Sequence, residues 1–217
     1  MTVIPFRNDT EATTAIPRVS DHLRGGGLLA YPTETVYGLG SRPLEPEVRA
    51  LAALKGRAAG KPFLLIVASQ EMAEGQGLGF NESARALARA FWPGPLTLVL
   101  PGGSGRLPDI LRGPEGGVAV RWTSHSLIAR LVAELGVPLT STSANLPGTI
   151  PAPGADAIVR DFPEAVASGA LMVLDGGVLG NRPPSTVVDC TSPVPRIVRP
   201  GALTVAQLRA GVGILAP

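Results

Sequence analysis

Short apolar runs recur along the chain, each bounded by Gly, Pro, Ser or Asp, and helical patterns lie between them. Leu28–Tyr31, Phe63–Ala68, Leu96–Leu100, Val118–Arg121, Pro138–Ser141, Leu171–Leu174, Thr186–Asp189 and Arg196–Val198 predict strands. Several are apolar at every position, as strands are when helices cover both faces of their sheet. Ile16, Val19 and Leu23 share one helical face, and Gly25-Gly26-Gly27 ends that segment, where Pro17 fits only a first turn. Val48, Leu51 and Leu54 mark a second helix that ends near Gly56. Asn81 caps a third over Glu82–Phe91, and Ser126–Leu135 forms a fourth with Gly136 as its left-handed cap. Thr204 and Gln207 open a last helix as a capping box, and it ends by Gly211. This order predicts an α/β fold on a mixed, twisted sheet. No linker divides the 217 residues, so one domain over 1–217 is expected. Pro101–Gly117 and Leu146–Gly154 read as long surface loops.

Composition narrows the partners. The formal net charge is only +2, with 19 Lys and Arg against 17 Asp and Glu, so a global polycation for nucleic acid is not indicated and any basic site is local. One cysteine, Cys190, excludes an internal disulfide and points to a reducing compartment. Together with His22 and His125 it offers too few ligands for a Cys/His zinc site. The start, MTVIPFRNDTEA, lacks the apolar core of a signal peptide, and no apolar run approaches the roughly 20 residues that span a bilayer. A soluble, cytoplasmic protein is expected.

Several familiar sites are absent. Gly56-Arg57-Ala58-Ala59-Gly60-Lys61-Pro62 has one residue too few between its glycines for a phosphate loop, and Pro62 stands where the loop needs a hydroxyl. No Gly-x-Gly-x-x-Gly follows a strand, and no Gly-x-Ser-x-Gly elbow is present. His125, beside a helix start, reads as a capping or packing residue.

What remains are cations and hydroxyls at element ends. The only two lysines, Lys55 and Lys61, flank Arg57 within seven residues. A helix C-terminus favours one such cation; three together also fit an anion site. Thr33-Glu34-Thr35 follows a strand directly, as turn chemistry or as a contact to a small polar ligand. Thr140-Ser141-Thr142-Ser143-Ala144-Asn145 sits at another strand's C-terminal end, as a hydroxyl-rich turn or at the place where open α/β sheets bind ligands. Arg121 ends a strand, Ser185 precedes one and Arg199 closes the last. Together they describe one cavity of hydroxyls and guanidinium groups, suited to phosphates and a small zwitterion.

Tyr31–Gly40, Lys55-Gly56-Arg57, Trp92–Thr97, Val118–Arg121, Ser141–Asn145 and Arg199-Pro200-Gly201 resemble, in the same order, the YrdC-like family of threonylcarbamoyl-AMP synthases. The likeness runs from about Leu28 to Leu208. It implies a twisted open sheet, flanked by helices, around a basic cavity. It also implies a nucleotidyltransferase that joins L-threonine, bicarbonate and ATP, taken with Mg²⁺, into threonylcarbamoyl-AMP and pyrophosphate. A separate threonylcarbamoyl transferase then acts on tRNA, so tRNA contact is indirect. Lys55, Arg57, Ser143 and Asn145 match the family's catalytic signature. Arg57, Lys61, Ser143, Asn145 and Arg199 match its ATP side, and Thr35, Arg121, Ser141 and Ser185 its threonine side. No protein-held metal is implied. Some relatives carry a histidine where Ile66 stands here, so that threonine contact is missing. The chain resembles the short branch without an extra C-terminal domain. A non-enzymatic RNA-binding protein of the same fold is the alternative, disfavoured by a chain with only nine aromatic residues. A carbamoyl-adenylate module of the hydrogenase-maturation type calls for more length and more cysteines.

Overall fold

The computed structural model describes residues 2–57, 62–180 and 182–213. Within them lie ten strands: β1 Val3–Pro5, β2 Leu28–Tyr31, β3 Gly38–Gly40, β4 Leu64–Val67, β5 Leu96–Leu100, β6 Val118–Trp122, β7 Leu139–Ser143, β8 Leu171–Asp175, β9 Thr186–Asp189 and β10 Arg196–Arg199. The helices are α1 Asp9–Arg24, α2 Glu45–Lys55, α3 Gln70–Gly75, α4 Glu82–Phe91, α5 Ser126–Leu135, α6 Ala155–Asp161, α7 Pro163–Ala167 and α8 Val205–Val212. All eight predicted strands are present, three with the expected bounds and the others with ends shifted by one or two residues. The strands form one mixed sheet in the order β1-β8-β2-β3-β7-β4-β6-β5-β9-β10.

The helix ends follow their local chemistry. Asn8, Ser69 and Asn81 accept backbone N–H bonds as N-caps of α1, α3 and α4, and Thr204 with Gln207 completes the capping box of α8. Gly56 and Gly136 close α2 and α5 in the left-handed conformation. Pro17 departs from expectation. It lies in the middle of α1, which starts eight residues before it. Pro17 and Thr13 are both exposed, so the carbonyl that loses its amide partner faces water. The loop after β5 is anchored rather than wholly superficial, because it buries Leu107 and Leu111 in the core.

Residues paired across neighbouring strands share a face of the sheet, and this register carries the functional argument. One face of β2 and β8 presents Leu29, Tyr31, Met172 and Leu174 to a core built with α1 and α5. Pairing extends that face across the sheet: Tyr31 to Gly38, Gly38 to Ser143, Ser141 to Leu64, Ile66 to Arg121, then Ala119 to Val99, Val99 to Asp189, and Asp189 to Arg196. The alternate residues Leu65, Val67, Leu98, Val120 and Val188 enter the larger core on the opposite face. Past Ile66 and Leu139, therefore, the first face carries polar and small residues instead of a helix contact.

The strand Gly38–Leu39–Gly40 makes the close passage in this sheet. A Cβ on Gly40 would stand 2.0 Å from the Thr140 carbonyl oxygen, and one on Gly38 would stand 3.0 Å from Ser141 Oγ. Its neighbour Tyr37 is buried, and its hydroxyl donates to Gly177 O (2.8 Å) and accepts from Gly176 N (2.9 Å). These bonds tie the Thr33–Tyr37 turn to the end of β8.

Candidate active site

The uncovered face holds a cavity of about 550 Å³. Four arginines line it. Arg57 follows α2, Arg121 projects from β6, and Arg196 and Arg199 lie at the two ends of β10. Thr35, Ser141, Ser143 and Ser185, all expected at the substrates, line it as well. Seven of the ten expected site residues thus share one wall, since Arg57, Arg121 and Arg199 complete that set.

Each guanidinium is oriented by a separate set of bonds. Arg57 Nη1 donates to Thr142 Oγ1 (2.8 Å) and Nη2 to Pro62 O (2.6 Å), while its plane stacks 4.5 Å from the Phe63 ring. Arg199 Nη2 donates to Ser185 O at 2.9 Å and lies 3.3 Å from Ser185 Oγ, which itself bonds Thr97 Oγ1. Arg121 is only 4% exposed. Its Nε donates to Gly94 O (3.1 Å), its Nη1 to Thr35 Oγ1 (3.1 Å), and its Nη2 lies 2.7 Å from Glu34 Oε1. Burial disfavours the charge on Arg57 and Arg199, and the positive Arg121 adds to the burden on Arg199. An anionic ligand would relieve that strain, so the wall is electrostatically prepared for phosphate or carboxylate.

Lys55 and Asn145 stand one layer back and do not line the cavity. The Lys55 ammonium, on a residue 6% exposed, donates to Ser143 O (2.7 Å), to Asn145 Oδ1 (2.6 Å) and to Asn145 O. Burial, then the neighbouring Arg57, push its pKa down to about 8. The Asn145 amide is saturated: Oδ1 also accepts from Ser143 Oγ (2.6 Å), and Nδ2 donates to Leu146 O (2.9 Å) and Thr149 O (2.6 Å). The reason for the split lies in Gly56. Its φ of +59° reverses the chain between Lys55 and Arg57, so the two cations leave the helix end in different directions. Lys61 lies outside the described residues.

Several lining residues received no role of their own from the sequence. Thr97, Thr142, Asp189, Arg196 and Glu115 all reach the cavity, and Arg196 Nη2 lies 3.4 Å from both Asp189 Oδ2 and Glu115 Oε1. Alternation within β5 and β9 puts Thr97 with Val99 and Val187 with Asp189 on one face, but only the register shows which face. Ile66 also lines the cavity, paired across the sheet with Arg121, as an apolar surface. Among the described residues no three His, Cys, Asp or Glu side chains cluster as a metal site, and no helix is long and apolar enough to cross a membrane.

Comparison with known proteins gives a consistent picture. The family model for Sua5, YciO and YrdC proteins, whose description reads "Telomere recombination", matches residues 21–201. A Pyrococcus abyssi protein named threonylcarbamoyl-AMP synthase is 37% identical over 192 residues, covering 88% of this chain and 55% of its own length. A Thiobacillus denitrificans protein of the same name is 42% identical over 176 residues, covering 81% of this chain and 90% of its own. The crystal structure of P. abyssi Sua5 complexed with L-threonine superposes with a TM-score of 0.88 at 35% identity, over 99% of this chain and 62% of that one. The chain therefore spans little more than half the length of its P. abyssi relative.

Proposed function

The chain belongs to the Sua5/YciO/YrdC family, and from that premise we propose that it forms threonylcarbamoyl-AMP and pyrophosphate from L-threonine, bicarbonate and ATP. The observation that carries the reading is the convergence of Arg57, Arg121 and Arg199, from three distant stretches, on one hydroxyl-lined cavity. A triphosphate and an amino acid carboxylate both need such a wall, and the volume lies within the range of small-molecule sites.

The chemistry runs in two steps. The threonine amine attacks bicarbonate, water leaves, and a carbamate forms. A carbamate oxygen then attacks the α-phosphorus and the bond to pyrophosphate breaks. Two anions must meet, so charge neutralisation and alignment carry the rate. Arg57 and Arg199 take the phosphate oxygens, with Ser143 beside them. Arg121 takes the threonine carboxylate, and Thr35, Ser141 and Ser185 hold its polar groups. Lys55 and Asn145 act from behind by fixing the turn that carries Ser143. Magnesium, taken with the triphosphate as part of the substrate, would supply charge neutralisation for the pyrophosphate leaving group.

We assign the reaction to one domain of a cytoplasmic protein, with a separate transferase passing the threonylcarbamoyl group to tRNA. The test is direct. Purified protein releases pyrophosphate only when ATP, threonine and bicarbonate are all present, and a threonine-independent rate rejects the assignment.

A further inference from the structure

Glu34, offered by the sequence as turn chemistry or a ligand contact, does not line the cavity, yet it is the carboxylate that meets Arg121. Its side chain is 15% exposed. The carboxylate is held from three directions: Thr123 Oγ1 donates to Oε2, Ser124 N donates to Oε1 at 3.0 Å, and Arg121 Nη2 lies 2.7 Å from Oε1. It rides on a turn that Thr33 Oγ1 stiffens by accepting from Thr35 N and Val36 N, both at 3.2 Å. Burial raises the pKa of Glu34, but Arg121 and the Thr123 and Ser124 bonds outweigh it and hold the carboxyl at about 2, so it is ionised at neutral pH.

We propose that Glu34 is a positioning residue for threonine binding, acting through Arg121. This rests on the reading of the cavity as a threonylcarbamoyl-AMP synthase site. A guanidinium carries five N–H donors: Nε and Nη1 donate to Gly94 O and Thr35 Oγ1, while Nη2 is paired with Glu34 in charge and its N–H groups have no hydrogen-bond acceptor among the described residues. Glu34 thereby sets the plane in which the remaining donors meet a substrate carboxylate. It also balances the charge of Arg121, the buried one of two neighbouring cations on this wall with Arg199, so that the wall holds an amino acid without gripping every anion. Thr123, itself fully buried, completes the relay by anchoring the carboxylate from behind.

The experiment measures steady-state pyrophosphate release with threonine and ATP varied in turn, for the parent protein, Glu34→Gln, Thr123→Val and the double variant. Glu34→Gln is expected to raise the threonine KM about tenfold and leave the ATP KM within twofold. Thr123→Val, nearly isosteric, moves the threonine KM the same way by about threefold. The double variant is no worse than Glu34→Gln alone, because both act on one group. Should Glu34→Gln fold poorly, Thr123→Val alone still decides. An unmoved threonine KM, or parallel changes in both KM values and kcat, overturns the inference while the reaction assignment stands. A parent protein with no threonine-dependent release overturns the assignment and this inference with it.

Discussion

Replacing Lys55 by methionine keeps the length and apolar stem of the side chain and deletes its ammonium. Three acceptors then lose their donor, and they do not lose equally. Asn145 Oδ1 keeps Ser143 Oγ, and Ser143 O keeps the amide of Asn145 at 3.1 Å. Asn145 O has no second partner of that kind among the bonds described, and it sits in a buried residue. One orphaned buried carbonyl costs about 1–3 kcal/mol, and the lost charge-assisted bonds add to it, while removing a buried ammonium returns part of its desolvation. The net expectation is a loss of about 2–3 kcal/mol. With a urea dependence of roughly 2 kcal/mol per molar, the unfolding midpoint falls by about 1–1.5 M. Turnover falls as well, since the Ser143 turn loosens. A direct phosphate ligand gives a different pattern. Its removal costs about 2–4 kcal/mol at the transition state, a drop of roughly 30- to 1000-fold in kcat, with stability little changed. Urea unfolding and pyrophosphate release on the same preparation separate the two. A Lys55→Met protein as stable as its parent but inactive refutes the placement of Lys55 behind the cavity.

Three further expectations follow from the geometry. Arg57→Lys loses both the forked contact to Thr142 and Pro62 and the stacking on Phe63, so kcat/KM for ATP should drop by about 2–4 kcal/mol in equivalent barrier, read from initial rates at varied ATP. Gly40→Ala drives a methyl into the Thr140 carbonyl and should cost about 3 kcal/mol, as a lower urea midpoint with the fold otherwise intact. Glu34 has a folded pKa of about 2 against 4.5. Its lowered pKa contributes stability that is complete above pH 4.5 and is lost as pH falls toward 2. That contribution is about 3 kcal/mol, so the stability gap between the parent and Glu34→Gln should be full at pH 6 and shrink between pH 4.5 and 2 in denaturant titrations.

Much of the fold was legible because burial writes itself into the sequence. The apolar runs and the caps at Asn81, Gly56, Gly136 and Thr204 are local signals, and each appears where it was expected. The elements that went unread have weak local signals. Gly38–Gly40 has no apolar alternation and is a strand only because β2 and β7 pair with it on either side. Ala155–Asp161 and Pro163–Ala167 are too short for helical periodicity to stand out. Pro17 misled because a proline inside a helix is tolerated where the orphaned carbonyl meets water, and exposure is a tertiary property. At the site, residue type singled out Thr35, Arg57, Arg121, Ser141, Ser143, Ser185 and Arg199, and the fold brings all seven to one cavity. It could not distinguish Arg57, which faces the cavity, from Lys55 two positions earlier, which faces the protein.

By itself, then, the order of residues determined most of the segments that would be strands and helices, where most helices start and stop, and which polar side chains had to find partners. Folding decided how the strands lie side by side. Strand pairing brings Ile66 beside Arg121 and Asp189 beside Arg196, across 55 and seven positions of chain. No local preference encodes such a neighbour, because the choice is made by the free energy of the whole sheet and its two cores. That register, together with the reversal at Gly56, puts three guanidinium groups on one wall and turns the lysine ammonium away from it.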